Sequence, residues 1–246
     1  MEKRKQGLRD MVEEKFFADR ERLTLALANE CAAALHAGIK ANGQATFLVS
    51  GGSSPEPVYR ELSRRPLPWQ NVNVALVDER WVEKDEAGSN LAFISNSLLQ
   101  NEASKAPCLG MKNAAATPAE GEADCERAYQ ELPRPFDVCV LGMGNDGHTA
   151  SFFPHAEGLA DALDTKSEKL CKAITAKQSA VTGVHTERMT LTLAAILQAK
   201  EIKLLITGEE KLKVYRQALL GDDELEMPVR SILKQGLKPV TVYWAP

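Results

Sequence analysis

Ala45-Thr-Phe-Leu-Val-Ser-Gly-Gly-Ser-Ser-Pro55 is the stretch that decides the fold. Ala45 to Ser50 is a short, continuous apolar run bounded by glycines, which reads as a strand. Pro55 to Leu62 reads as a helix, with Pro55 in its first turn and Ser53 or Ser54 able to cap it. The chain therefore passes from strand to helix through Ser50-Gly51-Gly52-Ser53. Glycines let a backbone approach a ligand closely, and a helix N-terminus offers unpaired N–H groups and a positive dipole end. The segment has the physics of a phosphate cradle, and equally that of a tight strand-to-helix turn. No GK[ST] follows, so it is not a Walker A loop.

The same alternation extends on both sides. Upstream, Asp19 to Lys40 reads as a helix, with Leu23, Leu27, Ala34 and Leu35 at helical spacing and Gly38 near its end. Downstream, strands are expected at Val72 to Val77 and Phe136 to Leu141, with a weaker one at Leu170 to Ile174. Met189 to Leu193 reads as strand running into a short helix near Gln198. Glu201 to Thr207 and Val240 to Trp244 complete the strands. Helices are expected over Ser89 to Leu99, Glu122 to Leu132 and Glu209 to Leu220. Met1 to Phe17 is highly charged and suggests no element. Strands alternating with helices of this length predict an α/β protein with a mostly parallel sheet. There is no repeat or long linker, and residues 1–246 are expected to form one domain.

Composition narrows the function. The 246 residues carry 30 Lys+Arg against 34 Asp+Glu, a net charge of −4. That argues against a general nucleic-acid or anionic-membrane binder, which needs a basic excess. Five cysteines, with no CxxC pair, suggest reduced thiols and not a disulfide framework or zinc site. The N-terminus lacks the apolar core of a secretory signal. No apolar run approaches the roughly 18–20 residues of a membrane span. A cytoplasmic enzyme with no obligate protein partner is expected.

In parallel sheets, ligands bind beyond the carboxyl ends of the strands. Four polar segments fall at such ends: Ser50-Gly51-Gly52-Ser53, Asp78-Glu79-Arg80, Gly142 to His148 and Gly208 to Lys211. Each alone is an ordinary surface turn; together they outline one site. Gly142-Met-Gly-Asn-Asp-Gly147 matches GxGxxG, but His148 follows at once and Pro154 falls where a dinucleotide-binding helix would run. A better reading centres on Asp146 and His148, an imidazole able to act as general base near neutral pH beside a carboxylate able to orient it. A histidine that merely caps a turn would look the same. Asp146, His148 and His155 could be imagined around a metal, but no further His/Cys cluster supports this. Asp78 and Arg80 offer a carboxylate and a guanidinium fork for hydroxyl or phosphate groups. Arg188 and Lys211 are further candidate phosphate ligands, or simply solvent-facing charges. GxSxG, the nucleophile elbow of another α/β hydrolase class, is absent.

Taken together, LVSGGSSP (48–55), VDERWV (77–82), SN (89–90), LGMGNDGHTASFFP (141–154), ERMTLT (187–192) and TGEEK (207–211) resemble the superfamily of 6-phosphogluconolactonases and glucosamine-6-phosphate isomerases/deaminases. The likeness is closest to the lactonase branch. Deaminases typically carry a glutamate just before the proline, and here that residue is Phe153. Phe152 stands where lactonases usually have leucine. The resemblance implies a three-layer, Rossmann-like sheet with helices on both faces. It implies hydrolysis of 6-phosphoglucono-1,5-lactone with no metal or organic cofactor and His148 as base. Asp146 would hold His148, and Arg80 or backbone N–H groups would stabilise the oxyanion. Ser50, Gly51, Gly52, Ser53, Arg188 and Lys211 would take the phosphate, and Asp78 would also contact substrate. The alternatives are amino-sugar deamination and a sugar-phosphate sensor without turnover.

Overall fold

A computed structural model describes residues 11–246. Its strands are β1 (Val12–Phe16), β2 (Ala45–Val49), β3 (Val72–Leu76), β4 (Asp78–Arg80), β5 (Cys108–Leu109), β6 (Phe136–Gly142), β7 (Cys171–Thr175), β8 (Glu187–Leu191), β9 (Ala199–Thr207) and β10 (Val240–Ala245). The helices are α1 (Arg20–Asn42), α2 (Glu56–Leu62), α3 (Asn90–Ser97), α4 (Pro118–Gln130), α5 (Leu159–Ala162), α6 (Leu193–Ile196), α7 (Glu209–Leu220) and α8 (Val229–Leu233).

Seven strands form one parallel sheet in the order β1-β10-β9-β6-β2-β3-β5. From β2 the chain moves outward to β3 and β5. It then returns to β6 and moves the other way. The order reverses between β2 and β6, and a parallel sheet opens a ligand crevice at such a reversal. Every residue of β2 is buried. Because successive side chains point to opposite faces, both faces of the sheet must be covered there.

Local chemistry sets the element ends. The Asp19 side chain caps α1 by accepting from the Arg22 N–H at 2.8 Å, and Gly43, at φ 77°, closes it in the left-handed conformation. The helix expected from Glu122 starts earlier. Thr117 caps it and Pro118 occupies its first turn, where a missing N–H costs nothing. Neither Ser53 nor Ser54 caps α2, whose N-cap position is Pro55. The Ser54 hydroxyl lies 3.1 Å from that of Thr207 instead.

Strands β1 and β4 also depart from the sequence reading. Val12–Phe16, within the charged N-terminal stretch, is an edge strand paired with β10. Asp78-Glu79-Arg80 is not a loop but a strand of a second, antiparallel sheet, β4-β8-β7. Helix α4 closes the free edge of that sheet. Glu126 accepts from the N–H groups of Leu170 and Cys171 at 2.8 Å each, and Glu122 from that of Ala173 at 2.9 Å. These carboxylates satisfy donors that a further strand would otherwise take. The five cysteines are free thiols. Among the described residues no helix is long and apolar enough to cross a membrane.

Candidate active site

The four polar segments meet in one open cleft, of about 160 Å³, at the carboxyl ends of the sheet strands. Ser50 to Ser53 and Gly142 to Gly144 line it from the two strands flanking the reversal. Asp78, Arg80 and Arg188 enter from the small sheet, and Lys211 from the first turn of α7.

The loop after β6 is built to present His148. Gly144 donates to the His148 carbonyl at 2.9 Å, and Gly147, at φ 78°, donates back to Gly144 at 3.0 Å. A Cβ on Gly144 would lie 2.1 Å from Nδ1 of His148, so a side chain there would collide with the base. Thr149 ties the loop to the strand end by donating to the Gly142 carbonyl at 2.8 Å. The Val229 N–H donates to the Gly147 carbonyl at 2.8 Å. The start of α8 thus braces the loop from behind.

Asp146 lies beneath His148 and does not line the cleft. Its Oδ1 is 2.5 Å from Nδ1 of the imidazole and accepts from the His148 backbone N–H at 3.1 Å. Burial pushes the Asp146 carboxyl up, but the hydrogen bonds and charge of His148 outweigh it and hold the group below its ordinary value. It is a carboxylate at neutral pH. Its hold on Nδ1 fixes the tautomer and leaves Nε2 for chemistry.

The far wall is cationic. The β4–β8 register sets Arg80 directly opposite Arg188, and like charges so placed repel. Arg188 is nearly fully buried. Burial, with the Arg80 charge adding to it, brings its pKa down to about 10, while Asp78 and Glu79 oppose the fall. Its Nε donates to the His185 carbonyl at 2.7 Å and its Nη2 to that of Thr182 at 3.3 Å. Arg80 donates to the Gly88 carbonyl, yet its Nε is buried without a partner among the described residues. Burial also lowers the Lys211 pKa, against the opposing charge of Glu210. Three cations around one cleft, held at an electrostatic cost, suit a bound anion.

The remaining predicted residues are placed with different duties. The Asp78 carboxylate accepts from Ser151 Oγ at 2.6 Å and from Asn90 Nδ2 at 3.4 Å, which aims it into the cleft. The Ser50 hydroxyl is spent on the Val140 carbonyl at 2.8 Å, and the Tyr59 hydroxyl bonds both the N–H and the carbonyl of Ser50. Gly51 packs so closely on Asn90 that a Cβ would meet Oδ1 at 2.1 Å. Gly52 takes φ 104°, which glycine alone adopts freely. Glu79 points away from the cleft and accepts from the N–H groups of Asn90, Leu91 and Arg80. It thereby caps α3.

Sequence reasoning missed Asn90 and Ser151 as site residues. It also used Phe153 only as a branch marker. The Phe153 ring stacks on His148, centroids 4.4 Å apart at 27°, and the Arg188 guanidinium carbon lies 4.9 Å from the same ring. Among the described residues no group of three or more His, Cys, Asp or Glu side chains is placed to hold a metal ion.

A parallel α/β sheet with an imidazole–carboxylate pair facing a cationic wall at its switch point defines an enzyme of small anionic metabolites. Comparison with known proteins narrows the class. Residues 18–244 match the model of the glucosamine-6-phosphate isomerases/6-phosphogluconolactonase family. The chain is 40% identical over 220 residues to the 6-phosphogluconolactonase of Pseudomonas aeruginosa, covering 89% of each. It is 39% identical over 230 residues to that of Rhizobium meliloti, covering 94% of this chain and 97% of the relative. The crystal structure of a 6-phosphogluconolactonase from Shewanella baltica superposes with a TM-score of 0.90 at 42% identity, covering 96% and 98% of the two chains. The chain belongs to this family. A monomeric glucosamine-6-phosphate deaminase shares the fold, with a TM-score of 0.76 at 21% identity. The fold alone therefore does not choose between the two chemistries.

Proposed function

We propose that this chain hydrolyses 6-phospho-D-glucono-1,5-lactone to 6-phosphogluconate, the lactone-opening step of the oxidative pentose phosphate pathway. The observation that carries the reading is the Asp146–His148 pair set against the Arg80, Arg188 and Lys211 wall of one cleft. The relatives named for this activity at about 40% identity support it.

Nε2 of His148 takes a proton from water as the water oxygen bonds to C1. The carbonyl oxygen becomes an oxyanion. Arg80, with its unspent Nε–H, and backbone N–H groups of the glycine loops are the donors proposed to stabilise it. As the C1–O5 bond breaks, the imidazolium returns its proton to the ring oxygen. A carboxylic acid and an alcohol result, His148 ends neutral, and the acid then releases its remaining proton to solvent as the carboxylate. Asp146 stabilises the transient imidazolium, and such acid–base transfer is worth about 10²–10⁴-fold. Arg188, Lys211 and the Ser50 to Ser53 loop hold the phosphate. Ser50 does so through its backbone frame, because its hydroxyl is engaged elsewhere. Asp78 accepts from a sugar hydroxyl. Deamination needs an acid to assist ring opening of the amino sugar, and the apolar Phe153 supplies none.

The test is fresh 6-phosphogluconolactone and glucosamine 6-phosphate side by side, each against a buffer blank. Lactone hydrolysis well above the blank with no ammonia release is expected. Ammonia from the amino sugar would overturn the reading in favour of the deaminase. Binding of 6-phosphogluconate without turnover would overturn it in favour of a sensor.

A further inference from the structure

Phe153 touches two groups whose duties are separate in the mechanism above. Its ring is 4.4 Å from the His148 imidazole at an interplanar angle of 27° and 4.9 Å from the Arg188 guanidinium. It is almost completely buried. Its backbone is pinned on both sides, with its N–H donating to Ser151 and its carbonyl accepting from Ala156, each at 3.1 Å. It therefore has little freedom to follow either neighbour. Among the described residues, the other contacts hold each neighbour along one edge. Asp146 grips the Nδ1 edge of the imidazole but does not set the rotation of the ring about that bond. Arg188 is tied through Nε and Nη2 to loop carbonyls at 185 and 182, in a segment with exposed Val181 and Val184. A stacked ring supplies the missing constraint for the base. A π face attracts a guanidinium and fixes its plane.

We infer that Phe153 is a positioning residue of the lactonase reaction, its ring being the shared platform that holds the His148 base and the Arg188 phosphate ligand in fixed register. The inference rests on the proposed lactonase activity for its kinetic consequence, though not for its structural one. Phosphate bound at Arg188 and water activated at His148 must lie a set distance apart for one substrate to reach both. A platform common to the two sets that distance. Neither side chain need touch the other.

Two variants test it. Phe153→Leu keeps the site apolar and filled but removes the π face, while Phe153→Tyr keeps the ring. The Leu variant is expected to lose roughly three- to tenfold in kcat and to raise KM by a similar factor, because both neighbours are released. The Tyr variant is expected to stay within about twofold of wild type on the same scale. A merely structural role would lower the melting temperature and leave both constants, per folded molecule, unchanged. Two readouts do not depend on turnover. The His148 ring protons of the wild type should show an upfield ring-current shift in the NMR spectrum, lost with Leu and kept with Tyr. Calorimetric affinity for 6-phosphogluconate should fall with Leu and not with Tyr. A Leu variant with wild-type kcat and KM overturns the inference, as does a Tyr variant impaired as much as the Leu variant. A wild type without lactonase activity would sink the function while the NMR and binding arms still judged the platform.

Discussion

Asp146 holds His148 twice with one oxygen: Oδ1 lies 2.5 Å from the imidazole Nδ1 and accepts from the backbone N–H of the same residue at 3.1 Å. Ring and main chain are thus fixed by a single carboxylate two residues upstream. The spacing works because Gly144 and Gly147 let the loop double back.

His148→Ala should lower kcat at least about 10²-fold, with calorimetric affinity for 6-phosphogluconate largely kept. Near-wild-type turnover would remove His148 from the role of base. Asp146→Asn should lower kcat at least about tenfold by weakening the hold on the tautomer and on the imidazolium. It should also change stability in a pH-dependent way. The folded carboxyl sits below its ordinary value of 3.8. Its contribution is therefore present above that value and is lost as pH falls through the lower folded one. Urea midpoints of wild type and Asp146→Asn should differ at pH 7 and converge on acidification. A gap that widened in acid would contradict the assignment.

Glycine substitutions separate geometry from chemistry. A Cβ at 144 would meet His148 Nδ1 at 2.1 Å, whereas one at 142 would find no atom within 4 Å. Gly144→Ala should therefore cost at least about tenfold in kcat, since misplacing a base by about an ångström is expensive. Gly142→Ala should be close to neutral, although both lie in the same motif and line the same cleft. Equal effects at the two positions, in parallel lactone assays, would show that the loop relaxes around an added methyl group.

The contrast between those glycines shows what a sequence can and cannot carry. The parallel sheet and the segments of its active edge were legible because β2, β3, β6 and β9 are short, mostly apolar runs ended by glycine or charge. Strand β1 was not. Its Val-Glu-Glu-Lys-Phe lies at a sheet edge, and three of its five residues are exposed, so no apolar period marks it. Strand β4 is three polar residues whose pairing depends on β8, more than 100 positions away in the chain. That register, invisible in the sequence, is what sets Arg80 against Arg188. Asn90 escaped because its duty, packing on Gly51 and bonding the Asp78 carbonyl at 2.9 Å, depends on tertiary contact alone. Phe153 read only as a branch marker because its contacts with His148 and Arg188 are likewise tertiary.

Metal removal should leave the enzyme working. The base is activated by a carboxylate at hydrogen-bonding distance, and the anion is met by three cationic side chains. Lactone hydrolysis after exhaustive EDTA treatment should match the untreated rate. Loss of activity restored by an added divalent ion would defeat the proposed mechanism.

Lys211 offers the clearest trade between function and stability. Burial lowers its pKa below the ordinary 10.5, with Glu210 opposing the shift, so the folded state pays for keeping it charged. A lysine with a lowered folded pKa makes stability rise with pH across the interval between folded and unfolded values. Removing the amine removes that cost at neutral pH. Lys211→Met should therefore melt at or above the wild-type temperature while binding 6-phosphogluconate about ten- to hundredfold more weakly, the scale of one lost charged hydrogen bond. The affinity of the wild type should also decline as pH rises through the lowered Lys211 value, and the decline should be smaller in the variant, where Arg188, brought down to about 10, is the lowered cation left to titrate. Titration calorimetry across the alkaline range reads both. An unchanged affinity in Lys211→Met would place the phosphate elsewhere in the cleft. A lowered melting temperature with intact affinity would make the lysine a structural cation rather than a ligand.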